Sequence, residues 1–299
     1  MKQIIIDTDP GVDDALAILL AISSKLNIVG ITTTYGNSNI ENTTRNALSI
    51  LQILNSNIPV YPGAATPLSK KSILAKSHGS NGLGNFNVDL RLQPQKISAT
   101  QFLINSLSKN PNQSIDIVCL GPTTNLALLK IIRPDLISKI NQIIILGGVF
   151  NQKGNTTSKA EFNVYSDPLA LKIVLEFPVA KIIIPINICR QVTFTLDELN
   201  QIKNTKISNN FKKIADFFIN YYQNNQKYGG FKGGVMYDVL AIAYLANQKS
   251  FKIKKKYISV DLNGQTQIQE KLSNNCTLIT DSDPKEIKKL FFNSINNKY

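Results

Sequence analysis

Apolar runs of strand length alternate with stretches of helical period along the first two thirds of the chain. Residues 2–7 read as a buried strand, because Ile4, Ile5 and Ile6 follow one another without polar interruption. Residues 12–23 read as an amphipathic helix, with Pro10-Gly11 making the turn between the two. The alternation continues with a β-rich run at 27–34, a helix from about 41 to 54, and a short strand at 58–61. A helix at 100–109, a strand at 115–120, a helix at 126–132 and a strand at 141–146 follow. Asp167-Pro168 starts a helix over 169–177, and 181–186 is a further strand. This order predicts an α/β fold with a mainly parallel central sheet flanked by helices on both faces. In such sheets ligands sit beyond the carboxyl ends of the strands.

From Leu196 the pattern turns helical, with segments at 196–203, 209–225 and 239–247. Phe211, Ile214, Phe217, Phe218 and Tyr221 recur at helical spacing and read as core packing, whereas Tyr228, beside Gly229-Gly230, is a candidate for stacking on a ligand. Strands at 257–260 and 277–280 and a helix at 284–296 read as closing structure. Residues 69–94 are rich in Gly, Asn and Ser, show no period, and contain the chain's one histidine, His78, which marks them as a functional or disordered loop. No internal repeat is present, and the whole chain, 1–299, reads as one domain.

Composition narrows the reading. A chain of 299 residues with 43% hydrophobic content can bury a substantial core. No segment reaches the length of a membrane span. The first strand is entered by residue 3, which leaves no room for a signal peptide, so a cytoplasmic protein is expected. Cys119, Cys189 and Cys276 are odd in number and widely spaced, as reduced core thiols would be. The net charge of +13 raises nucleic acid as a partner. Against this, the lysines are scattered, and their densest run, 252–256, has the look of a solvated approach to a strand, so no nucleic-acid function is expected.

The chemistry concentrates near the start, where Asp7, Asp9, Asp13 and Asp14 fall within eight residues. Four carboxylates so close repel one another and need a cation, hydrogen bonds or protonation to stay together; a metal is the simplest of these. Asp7 and Asp9 sit at a strand's carboxyl end, and Asp13 and Asp14 in the first turn of a helix, where the dipole favours anions. Adjacent helical side chains splay apart, so one of Asp13 and Asp14 is expected to face the ion and the other a ligand beside it.

The run Asp7-Thr8-Asp9-Pro10-Gly11-Val12-Asp13-Asp14-Ala15 resembles the N-terminal signature of the inosine-uridine-preferring nucleoside hydrolase family, and the match is complete over Asp7–Ala15. The resemblance extends from Lys2 to about Asn247 and implies an open Rossmann-like core and a calcium ion held by Asp9, Asp14, Asp238 and the backbone carbonyl of Thr124. It also implies that Asp13, Asn37, Asn155, Glu161, Asn163 and Asp238 grip a nucleoside, chiefly through its ribose hydroxyls. With water and two substrate hydroxyls, those ligands approach the six to eight oxygens that calcium takes. The implied reaction is hydrolysis of an N-ribosidic bond through an oxocarbenium-like sugar, with Asp9 as general base for the attacking water. A homo-oligomer, commonly a tetramer or dimer, is implied as well.

Two departures from the family pattern stand out. Many members carry a histidine just before the last metal aspartate, where it protonates the leaving base; this chain has Met236-Tyr237-Asp238. Tyr237, with an unperturbed pKa near 10, is a poorer acid at neutral pH, and His78 is the other candidate on the leaving-base side. Ser158-Lys159 precede Ala160-Glu161 where the family often has Pro and a small residue. Two rival readings follow. A haloacid-dehalogenase-like phosphatase would use Asp7-Thr8-Asp9 after a strand, but leaves the later motifs unexplained. A catalytically weak or inactive nucleoside-binding protein would keep the sugar grip, with Tyr237 marking the lost acid.

Overall fold

The computed structural model describes residues 2–110, 113–225, 231–270 and 272–299. The strands are β1 (Gln3–Thr8), β2 (Ile28–Thr33), β3 (Val60–Tyr61), β4 (Ile115–Cys119), β5 (Ile140–Leu146), β6 (Ala180–Ile184), β7 (Thr193–Phe194), β8 (Gly234–Val235), β9 (Phe251–Lys256), β10 (Ile258–Val260), β11 (Thr266–Ile268) and β12 (Cys276–Ser282). The helices are α1 (Val12–Ser23), α2 (Ile40–Ile53), α3 (Ala99–Lys109), α4 (Thr124–Ile132), α5 (Phe162–Ser166), α6 (Pro168–Leu175), α7 (Ile186–Cys189), α8 (Leu196–Leu199), α9 (Thr205–Asn224), α10 (Val239–Ala246) and α11 (Pro284–Lys298).

Eight strands form one sheet in the order β3-β2-β1-β4-β5-β6-β12-β9, parallel throughout except for the edge strand β9. The mainly parallel α/β architecture expected from the alternation is the one present. Successive residues of β1 serve opposite faces: Ile4 and Ile6 pack with α1, α2, α9, α10 and α11, while Ile5 packs with α3, α4 and α6. Burial on both faces is why the strand is continuously apolar instead of alternating. The chain leaves β1 for β2 on one side, and β4 pairs on the other, so the β1/β4 boundary is the switch point where such sheets open a crevice.

The C-terminal third brings its own residues to that crevice. Helix α1 packs against α9 and α10, which carries Asp238, at the start of α10, towards the first turn of α1. All three cysteines are buried and free. The lysine run forms β9, whose residues 252–255 are exposed at the sheet edge. Among the described residues, no helix is long and apolar enough to cross a membrane.

Several boundaries differ from the sequence reading. The helix expected over 196–203 stops at Leu199, and α9 begins at Thr205 instead of 209. The reason is the cap: Asn204 is extended and its side chain accepts from the Ile207 N–H, so the chain must leave helical geometry before restarting. Strands β7, β8 and β11, of two or three residues, and the five-residue α5 are too short to carry a period. Phe217 is only half-buried, while Phe211, Ile214 and Phe218 enter the core as expected. Residues 69–94 contain no helix or strand, and Tyr228 lies outside the described residues.

Leu16 of α1 is fully buried in the core that includes α10. Leu16→Ala is expected to lower stability by about 2–5 kcal/mol, read from urea denaturation midpoints, because the surrounding helices cannot close the void.

Candidate active site

Asp9 lies just past β1 with 1% of its surface exposed, clasped by two loops. Its Oδ2 accepts the backbone N–H of Asn37 at 2.8 Å. A Cβ on Gly121, after β4, would fall 2.5 Å from Oδ1, and one on Gly36, after β2, closer still to Oδ2. Glycine at both places lets the backbone close on the carboxylate. Burial first, and then the neighbouring Asp14, push the Asp9 carboxyl well above the usual range, against the Asn37 N–H.

Asp14 accepts from the Thr8 hydroxyl, from Gly11 N at 2.8 Å and from Asn37 Nδ2 at 3.0 Å. Asp13, its splayed neighbour, has a buried Oδ1 with no hydrogen-bond partner, 3.8 Å from His78 Nδ1. Burial first, and then Asp13, Asp14 and Asp9, push the Asp238 carboxyl well up. Asp13 is pushed up by burial and by Asp14. Oxygens of Asp13, Asp14 and Asp238 lie within 4.8 Å of one another. Three buried carboxylates so close require protons or a cation among them, and an all-oxygen donor set with one orphaned oxygen suits a hard cation. Asp9 falls outside that triplet but within the same electrostatic field. The Thr124 side chain faces another way: its hydroxyl donates to Asp167 Oδ2 at 2.8 Å.

Asp7 serves the framework. Its Oδ1 accepts from Thr32 Oγ1 at 2.5 Å and Asn125 Nδ2 at 2.7 Å, and the same amide reaches the Thr33 carbonyl at 3.0 Å. Asn125 Oδ1 accepts from Ala64 N at 2.9 Å. These bonds tie the ends of β1 and β2 to α4. Burial pushes the Asp7 carboxyl up to about 6, although Thr32 and Asn125 oppose the shift.

Above the carboxylates is a cavity of about 330 Å³. Asp13, Asn37 and Asp238 line it, as do Asn155, Glu161 and Asn163 from the loop after β5. Glu161 caps α5: Oε1 accepts from Asn163 N at 2.8 Å, and Oε2 from Val164 N and Gly148 N, both at 3.1 Å. Burial raises its carboxyl, and these N–H groups oppose the rise. Asn163 Nδ2 donates to the carbonyls of Leu120 at 2.6 Å and Leu146 at 3.3 Å, which fixes the side chain at the ends of β4 and β5.

His78, Tyr222 and Tyr237 also line the cavity. Val12 N donates to His78 Nδ1 at 3.1 Å, so the neutral imidazole carries its hydrogen on Nε2. Burial pushes its pKa down to about 3. Tyr237 Oη accepts from Tyr222 Oη at 3.1 Å, and burial raises the Tyr237 phenol above its ordinary value.

The sequence reading missed Asn125, Gly36, Gly121 and Tyr222 as site components. Asn125 and the glycines lie inside motifs it quoted. Tyr222 had no signal, because helical period does not separate an aromatic in the core from one on a cavity wall.

Asp7 supplies a test of the framework. Since the folded state binds its proton more tightly than the unfolded chain, this group costs stability as pH rises from about 4 through 6. The stability difference between Asp7→Asn and wild type should therefore shift by ~2 kcal/mol in the variant's favour between pH 4 and pH 7, measured by urea unfolding. A flat difference would show that the carboxyl titrates normally.

The family model described as inosine-uridine preferring nucleoside hydrolase matches residues 4–289. The chain is 34% identical over 268 residues to a probable uridine nucleosidase 1 of Oryza sativa subsp. japonica, covering 88% of this chain and 82% of the relative. It is also 34% identical to the pyrimidine-specific ribonucleoside hydrolase RihA of Escherichia coli O1:K1, over 88% and 85% of the two chains. A solved purine-preferring ribonucleoside hydrolase from Gardnerella vaginalis superposes with a TM-score of 0.92 at 28% identity, over 99% of this chain and 98% of that one. The crevice of buried carboxylates beneath a polar cavity is thus found on a chain that belongs to the inosine-uridine preferring nucleoside hydrolases, enzymes acting on the N-glycosyl bonds of ribonucleosides.

Proposed function

We propose that the protein hydrolyses ribonucleosides to ribose and free nucleobase in a calcium-dependent reaction serving nucleoside salvage. The observation that carries this reading is the buried Asp13, Asp14 and Asp238 triplet, opening on a cavity flanked by Asn155, Glu161 and Asn163. Asp9, Asp14, Asp238 and the Thr124 carbonyl would hold the ion. Bound calcium would offset the mutual repulsion of the carboxylates and would orient and acidify the attacking water.

The chain's own groups supply the rest. Asp9, immobilised between Gly36 and Gly121 and raised in proton affinity, takes the proton of the attacking water. Asp13, Asn37, Asn155, Glu161, Asn163 and Asp238 hold the ribose hydroxyls, and orientation of that kind lowers the barrier by removing freedom before the reaction begins. The surrounding negative charge favours the positive sugar that develops as the C1′–N bond lengthens. His78 and Tyr237 stand on the side of the departing base. A cytoplasmic setting is supported by the three buried free thiols. The family resemblance carries the expectation of a dimer or tetramer.

A second reading, a nucleoside-binding protein without efficient turnover, is favoured by one observation: the group before Asp238 is a buried phenol with a raised pKa. The named relatives divide between pyrimidine and purine nucleosides, so both classes belong in the test.

Purified protein incubated with purine and pyrimidine ribonucleosides is expected to release free base, to stop when EDTA is added, and to recover with calcium. Heat-stabilisation by nucleosides without product would favour the binding reading, and release insensitive to EDTA would contradict the calcium assignment. Asp9→Ala should lower kcat by about 10²–10⁴-fold with the fold intact by circular dichroism. Gly121→Ala, which pushes a methyl against Asp9, should lower kcat about a hundredfold by displacing that carboxylate.

A further inference from the structure

Helix α9 reaches the cavity with a packed row of rings. The His78 and Phe218 centroids are 4.9 Å apart, Phe218 and Tyr222 are 4.7 Å apart, and Tyr222 and Tyr237 are 6.3 Å apart. Phe218 and Tyr222 are one helical turn apart, which stacks them on one face. Phe211 and Phe218 of the same helix are fully buried without a polar atom. A phenylalanine at 222 would fill nearly the same volume. The Tyr222 hydroxyl is therefore not required for packing. It is 3.1 Å from Tyr237 Oη and donates to it.

That donation has a directional effect. With one lone pair of Tyr237 Oη engaged by Tyr222, the Tyr237 hydrogen must point elsewhere, and both phenols line the cavity. Successive hydroxyls also polarise one another, so the second is a stronger donor than an isolated phenol. We propose that Tyr222 is a positioning residue for the departing base: it fixes the Tyr237 hydroxyl as a hydrogen-bond donor to the leaving nucleobase, which departs as an anion instead of receiving a proton from an acid. This rests on the nucleosidase reading. The C1′–N bond breaks with its electron pair passing to the base, the water oxygen bonds to C1′, and the water's proton goes to Asp9. Tyr237 keeps its proton, and the freed base takes one from solvent after release. A donor placed where negative charge grows favours the transition state over the bound substrate, so the effect belongs in kcat.

The test compares wild type, Tyr222→Phe, Tyr237→Phe and the double variant on inosine, uridine and p-nitrophenyl β-D-ribofuranoside, whose nitrophenolate departs without assistance. Tyr222→Phe is expected to lower kcat on the nucleosides about tenfold with KM changed less than about twofold, and to lower the ratio of nucleoside to nitrophenyl riboside turnover by nearly the same factor. The double variant should lose no more than Tyr237→Phe alone, because Tyr222 acts through Tyr237. Equal losses on both substrate types, or additive losses in the double variant, would overturn the proposal, as would losses that simply follow a lowered thermal midpoint. Wild-type protein that cleaves none of the three substrates would instead overturn the nucleosidase reading, and this proposal with it.

Discussion

The mutual repulsion of carboxylates out of water is the constraint on which the rest of this structure depends. Asp9, Asp13, Asp14 and Asp238 are each at most 4% exposed and belong to one electrostatic cluster. Such a group is stable only where the surrounding structure holds it and a positive charge or protons offset it. The sheet's switch point supplies the holding: β1 delivers Asp9, the first turn of α1 delivers Asp13 and Asp14, and the loops after β2 and β4 close over them with glycines. The C-terminal third completes the cluster by packing α10 against α1.

Within that cluster the acidic side chains divide their roles by their partners. Asp7 is spent on the framework, bonded to Thr32 and Asn125. Asp14 accepts from Thr8, Gly11 and Asn37 on the framework side, with an oxygen within 4.8 Å of Asp13 and Asp238. Asp13 alone presents a buried oxygen with no hydrogen-bond partner beside the cavity. Asp7 also keeps a buried Oδ2 without a hydrogen-bond partner, but at the strand end, whereas the Asp13 oxygen borders the cavity. His78, Tyr222 and Tyr237, which also line the cavity, are of another kind: a neutral imidazole and a phenol pair, able to donate hydrogen bonds without carrying charge.

Much of this was legible before the structure. Three isoleucines in a row announced a strand buried on both faces, and the Asp-Pro-Gly turn announced where the acidic residues would stand relative to it. The joint motif at Asp7–Ala15 placed the chain in its family. Less legible were features set by tertiary packing. Glu161 read as a sugar ligand, yet it also starts α5, because its carboxylate takes three backbone N–H groups. Thr124 read as a carbonyl ligand, and its hydroxyl holds Asp167. Tyr222 was hidden because its helix is amphipathic whether a ring meets the core or a cavity, and only the position of α9 against residue 237 distinguishes the two.

A single ion meeting the acidic cluster is the central requirement, and calorimetric titration of chelator-stripped protein with calcium tests it most directly. One calcium ion should bind per chain, with affinity weakened at least about tenfold in Asp238→Asn, whose side chain keeps its shape but loses its charge. Absence of binding, or the same affinity in wild type and Asp238→Asn, would contradict it.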